Sequence, residues 1–195
     1  MIAAFVEAVG DLALPCSLTL VIPTVAATLT SRSNPLAVAL SASAGVFVVG
    51  WLRITGQIGA FDTAWVAIAL AVLTLIAFGA LVRTATRPSQ RVTAAAVIGG
   101  VAASIWTPCV GVELGVILTQ GPDDPLGVAM PFAAFITGIG VAAIAAGLGL
   151  IAFQPPYRVS RALNVIGALV GTAIAFLLGT GLYADVVATL VTWSL

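Results

Sequence analysis

Two cysteines carry the only thiols in the chain, and each directly follows a proline, in Leu14-Pro15-Cys16 and in Thr107-Pro108-Cys109. Histidine is absent. Without imidazole there is no His-ligated haem, no His-containing zinc site and no imidazole acid–base catalysis, and two cysteines do not make a tetrathiolate metal site. What remains is the chemistry of thiols and carboxylates. Glu113 stands four residues after Cys109, on the same helical face and one turn away, and Asp11 stands five residues before Cys16. A carboxyl shielded from water holds its proton to higher pH, so Glu113, with Asp11 beside the other thiol, is placed to accept and return thiol protons. The plainer reading is that both acids sit in an interfacial layer, and for Asp11 that reading is the better one.

The elements that must position these groups follow from composition. Of 195 residues 61% are hydrophobic and 7% charged, against about 25% charged in an ordinary soluble domain. The chain therefore reads as an all-α integral membrane protein with no soluble domain. Its net charge is zero, and no basic stripe offers a nucleic-acid surface. Apolar blocks interrupted by turn residues predict six spans, at 2–30, 35–56, 62–82, 91–119, 126–153 and 161–183, followed by a short tail over 185–195. The breaks are Ser31-Arg32-Ser33-Asn34-Pro35, Gly56-Gln57-Ile58-Gly59, Arg87-Pro88-Ser89, Gly121-Pro122-Asp123-Asp124-Pro125 and Gln154-Pro155-Pro156. No basic residue precedes Arg32, and Glu7 and Asp11 interrupt the first apolar stretch, so the amino terminus is expected to be a retained span rather than a cleaved signal.

Orientation rests on arginine. Arg32, Arg83, Arg87, Arg91, Arg158 and Arg161 fall in the first, third and fifth connections, and Arg53 alone falls on the other side. The arginine-rich side is expected to be cytoplasmic, with both termini outside. Asp11 and Glu113 then both lie outward of their cysteines.

Cys16 and Cys109 are 93 residues apart, nearly half the chain. With three spans before the fourth, span one runs inward and span four outward. This is the pattern of two inverted three-helix repeats, 1–88 and 89–195, in one transmembrane domain, each repeat contributing a broken helix near the bilayer midplane. Each proline lacks an N–H and frees the carbonyl four residues earlier, at Asp11 and at Ser104, so helices 1 and 4 should break just before their cysteines. Each thiol then sits at the start of a half-helix, whose dipole is the activator available in a chain without His or Lys. Irregular backbone at membrane depth requires protein packing or a wet cavity around it, which hints at an aqueous path. A lone membrane cysteine is ordinarily a small hydrophobe. Two that are the only ones, in matching halves and matching contexts, read as a functional pair. A disulfide between them would need Cα atoms about 4.4–6.8 Å apart, which the pattern allows without requiring.

The two Pro-Cys steps, the six-helix layout, the arginine-rich third connection and the Gly-rich last helix resemble the CcdA family of cytochrome c biogenesis proteins, related to the membrane domain of the DsbD thiol–disulfide transporters. The resemblance spans essentially the whole chain, and its specific part is Thr107-Pro108-Cys109-Val110-Gly111. It implies that Cys16 and Cys109, supported by Pro15 and Pro108, carry reducing equivalents from cytoplasmic thioredoxin to an extracytoplasmic thioredoxin-like protein. It implies a multi-pass plasma or inner membrane protein of a prokaryote, serving cytochrome c maturation and using no cofactor. Family members carry further prolines after each cysteine, where this chain has Thr19 and Val112, with Pro23 later in the first span.

Two other readings stand beside this one. A quinone-coupled disulfide-forming enzyme needs a second cysteine pair, which the chain lacks. A small-solute or ion exporter would use Pro15 and Pro108 to shape a substrate site and Glu113 as coupling carboxylate, with incidental cysteines. Elsewhere, Ala134, Gly138, Ala142 and Ala146 form a small-residue row for helix packing, and Ser104 and Asn164 read as helix-packing hydrogen bonders. Trp51, Trp65 and Trp193 read as interfacial anchors, and Trp106 as a wall of the cysteine pocket.

Overall fold

The computed structural model describes residues 2–10, 15–31, 34–57, 64–83, 87–105, 117, 119–153, 156–182, 185, 186, 189 and 192. Among them the chain is helical: α1 (Ile2–Gly10), α2 (Pro15–Thr30), α3 (Pro35–Ile54), α4 (Ala64–Val82), α5 (Pro88–Ile105), α6 (Pro125–Phe153) and α7 (Tyr157–Thr180). Proline sets several of these starts. It stands first in α2, α3, α5 and α6, where its missing N–H has no intrahelical role and its φ is already helical. At α6 the Asp124 side chain caps the turn, its Oδ1 accepting from the Gly127 N–H at 3.0 Å. At the other end of α3, Gly56 takes φ +72°, and the Gln57 N–H reaches the Leu52 carbonyl at 2.9 Å. A residue with a Cβ would strain that left-handed closure.

The expected first span, 2–30, is therefore two helices, and Cys16 is the second residue of the latter. The fourth begins at Pro88, not 91, so Arg91 lies in its first turn. It is buried, donating through Nη2 to the Arg83 carbonyl at 3.2 Å. Among the described residues three helical stretches are long and apolar enough to cross a membrane, Pro35–Ile54, Trp65–Val82 and Pro125–Phe153, and Leu20–Thr30 and Arg161–Leu177 are shorter apolar helices.

Many alanines lie inside, and many large apolar side chains lie outside. Ala27, Ala39, Ala42, Ala95, Ala103 and Ala143 are buried, whereas Trp65, Leu126 and Phe153 are more than 80% exposed. This distribution suits hydrocarbon surroundings, where helices associate by close fit and hydrogen bonds rather than by hiding apolar surface from water.

The closest fit joins α3 to α5, which run parallel in a fixed register. Ser41 Oγ donates to the Val92 carbonyl at 2.6 Å. Gly45 faces the Ala96 carbonyl so closely that a Cβ would overlap it, and a Cβ on Gly100 would lie 3.1 Å from Val49 Cγ2. Arg53 Nη1 donates to the Ser104 carbonyl at 2.9 Å. These four pairs are each 51 residues apart and recur every fourth residue, so one row of each helix meets the other over three turns. Gly99 adds a second approach, against the Ala42 carbonyl.

The predicted small-residue row of α6 is partly buried. Gly138 is buried, but Ala134, Ala142 and Ala146 are half-buried. The close approach runs through Gly140, whose Cβ would meet Ser43, and Gly147, beside Pro35 and Leu36. Which of two neighbouring rows faces α3 depends on the rotation of the whole helix, which spacing alone does not encode.

Gly99→Ala should lower stability by about 1–3 kcal/mol, because backbone must move to admit the methyl group. Gly79, with open space around its Cα, should tolerate the same change and gain up to about 1 kcal/mol from helix propensity. Thermal unfolding of the two variants in detergent measures the contrast.

Candidate functional site

The candidate site is approached by two helix ends. Pro15 and Cys16 open α2, after α1 has ended at Gly10, and α5 ends at Ile105, three residues before Pro108. Cys16 therefore occupies the first turn of a half-helix, as its proline predicts. Asp11, Trp106, Thr107, Pro108, Cys109 and Glu113 lie outside the described residues, as does the Cys16 side chain. The flanking residues are described. Leu20, one turn after Cys16, Ala102 and Ala103, which lead towards Cys109, and Ile117, which follows it, are buried together in one core with Val46, Ile54, Val128, Phe132, Phe135, Ile136 and Ile139. The helix carrying Cys16 also packs directly on α5.

An aromatic group supports this core. Phe132 is fully buried, with its ring centroid 5.5 Å from Phe47 and 6.1 Å from Trp51, and those two stack at 6.1 Å. Gly50 leaves room for the Phe132 ring, which a Cβ there would meet at 2.9 Å. Trp51, half-buried, thus packs on this core, and Trp65 is exposed. Trp193 lies outside the described residues.

Sequence reasoning missed Arg53. Its Nη1 donates to the carbonyls of Ala103 at 2.8 Å and Ser104 at 2.9 Å, in the last turn of α5. Pro108 stands four residues after Ser104 and has no N–H, so that carbonyl is denied the α-helical donor at the fourth residue on. A buried carbonyl left unpaired costs about 1–3 kcal/mol, and a cation at a helix C-terminus also complements the dipole. The available signal was that Arg53 is the sole arginine off the arginine-rich side. Ser104 does not reach across helices through its hydroxyl, which folds back onto the Gly100 carbonyl at 2.9 Å. Its carbonyl makes the cross-helix bond instead.

Below Cys16 the row Leu20, Thr24, Thr28 is buried. Both threonine hydroxyls donate to carbonyls of their own helix, to Leu20 and to Thr24, each at 2.8 Å. Ser31 ends the row with a buried hydroxyl that has no hydrogen-bond partner among the described residues.

Among the described residues no three His, Cys, Asp or Glu side chains gather as a metal site. A separate groove of about 310 Å³ between α4 and α5 is lined by apolar side chains such as Leu73, Ile76 and Val97, with Ser89, Gln90 and Thr93 as its polar members. No thiol or acid lines it, so it offers no exchange chemistry. Comparison with family profiles, curated proteins and solved structures finds no match to this chain.

Phe132→Ala should cost about 3–5 kcal/mol, since it empties the space beneath Phe47, Trp51 and Gly50. Chemical denaturation followed by tryptophan fluorescence checks this, and Trp51 should report it directly.

Proposed function

We propose that the chain is a transmembrane thiol–disulfide transporter that passes reducing equivalents from cytoplasmic thioredoxin, through Cys16 and Cys109, to an extracytoplasmic thioredoxin-like protein, in the service of cytochrome c maturation. One observation carries the reading. Residues bracketing both Pro-Cys steps, Leu20 on one side and Ala103 and Ile117 on the other, share a single buried core. Described residues that flank thiols 93 apart in sequence thus meet in one interior, which supports the reading. The resemblance of the two Pro-Cys steps to the CcdA family points the same way.

In this reading the protein crosses the plasma or inner membrane of a prokaryote six times, with both termini outside. Spans one to six are α1 with α2, α3, α4, α5, α6 and α7. Two inverted repeats exchange span one with four, two with five and three with six. The pairing of α1 and α2 with α6 then corresponds to that of α5 with α3, and α2 on α7 corresponds to α5 on α4. The pairs α2–α5, α3–α6 and α4–α7 map onto themselves, and all are present. These pairings support the repeat. The α2–α3 pairing has no equally extensive counterpart.

A thioredoxin thiolate attacks one sulfur of the Cys16–Cys109 disulfide, forming a mixed disulfide and releasing the other sulfur as thiolate. The second thioredoxin thiol then attacks the thioredoxin sulfur of the mixed disulfide, so thioredoxin departs oxidised and the pair is left as a dithiol. On the outer side the same two steps run in reverse against the partner's disulfide. Two electrons cross together with two protons, so the transfer avoids about 2.3 kcal/mol per uncompensated charge per 100 mV. Glu113 is assigned the return of thiol protons on the outward path. No cofactor enters the cycle.

Alkylation with a mass-shifting reagent should show the pair becoming reduced in membrane vesicles when reduced thioredoxin is added. Cys16→Ser and Cys109→Ser should each lower transfer by at least about 100-fold. A thioredoxin lacking its resolving cysteine should be trapped on the wild-type protein as a mixed disulfide. Persistent solute transport in both serine variants, with no trapped adduct, would sink this reading in favour of an exporter with incidental cysteines. Glu113→Gln should flatten the dependence of transfer rate on pH between about 5 and 8. An unchanged profile removes the proton role.

A further inference from the structure

We infer that Arg53 is the positioning residue of the second Pro-Cys step: its guanidinium replaces the backbone donor that Pro108 lacks and so fixes the end of α5 from which the segment bearing Cys109 departs. The inference deepens the transporter reading and rests on it for its functional meaning, though the bond itself does not.

Three observations carry it. The first is chemical. Ser104 lies four residues before Pro108, so its carbonyl has no N–H to receive from a continued helix. Arg53 Nη1 supplies that bond and takes the Ala103 carbonyl as well. One guanidinium nitrogen bears two hydrogens and serves both oxygens.

The second is mechanical. Arg53 is the last rung of a register that begins with Ser41 on Val92 and continues through Gly45 on Ala96 and Val49 on Gly100. The middle rungs bring backbone so close that α3 cannot slide along α5 without a clash. The last turn of α3 is itself closed by Gly56 in the left-handed region. Arg53 is thus delivered to the end of α5 by a rigid frame rather than by a mobile side chain searching for a partner.

The third is the placing of the charge. In the six-span reading six arginines fall on one side and Arg53 on the other. A cation opposing that bias suits a local role, and the carbonyl end of a helix provides one. Arg53 holds the carbonyls of Ala103 and Ser104 there.

Labelling with a water-soluble maleimide in vesicles tests this one thiol at a time. With Cys16→Ser leaving Cys109 alone, Arg53→Gln should accelerate labelling of Cys109 about fivefold or more, because the unlatched carbonyls draw water into the segment. With Cys109→Ser leaving Cys16 alone, the same change should alter labelling by less than about twofold. Arg53→Lys, which keeps a charged donor, should stay near wild type. Equal acceleration of both thiols, or none at Cys109, overturns the inference. If Arg53→Gln does not accumulate as folded protein, adding Pro108→Ala returns an N–H four residues after Ser104 and should restore it, and failure to restore overturns the inference too. Maleimide labelling needs no thioredoxin. Reduction of the pair by thioredoxin, followed in separate vesicles with both cysteines present, therefore fails or succeeds independently and judges the transporter reading alone.

Discussion

A proline takes one N–H out of the backbone, and where the surroundings are apolar no water replaces it. The rest of this structure is arranged around that deficit. At Pro15 the loss is absorbed by position, because the residue opens α2, where an N–H would have had no intrahelical partner. At Pro108 the loss falls on the carbonyl of Ser104, near the carboxyl end of α5, and a side chain from another helix makes it good. Pro15 thus begins a helix, and the carbonyl four residues before Pro108 takes a donor from another helix.

That donor arrives only because α3 holds α5 at one register. Glycine makes the register possible, for the Ala96 carbonyl lies against Gly45 and the Ala42 carbonyl against Gly99 at distances no other residue admits. With mostly small side chains between them, the two helices share backbone contact rather than a conventional apolar seam. Over the same stretch of α3, Phe47 and Trp51 with Phe132 supply bulk, so tight backbone packing and aromatic filling run side by side along the helix.

Much of this was legible in the sequence, for a physical reason. Proline and glycine act on their own residues, so the element boundaries at Pro35, Pro88 and Pro125 and the break before Cys16 could be read from local chemistry. What was not legible depends on rotation and on distance along the chain. The row Ala134, Gly138, Ala142 and Ala146 of α6 is legible as a packing row without its partner helix, and only the rotation of the helix shows that Gly140 and Gly147 turn to α3. Arg53 was read only as an exception in a charge count, because its partners lie 50 and 51 residues away. The freed Ser104 carbonyl was foreseen while its donor was not: the deficit is local, and the remedy is tertiary. Of the candidate site, Pro15 and the backbone of Cys16 fall within the described residues, and Pro108, Cys109 and Glu113 fall outside them.

The same contacts bear on how the two thiols would meet partners on both sides, as the proposed transport requires. A folded thioredoxin does not enter a helix bundle, so helices must move, and they move most readily where contacts are replaceable. The α3–α5 pair is a poor candidate, since sliding it drives carbonyl oxygens into α-carbons. Small apolar side chains at other helix faces exchange neighbours at less cost than interlocked backbone. Among the described residues α1 makes its principal contact with α6 alone, and it ends before the first Pro-Cys step. The α3–α5 pair then serves as the fixed frame, and opening falls to helices such as α1, whose contacts are not interlocked backbone. Arg53 closes that frame at the carboxyl end of α5.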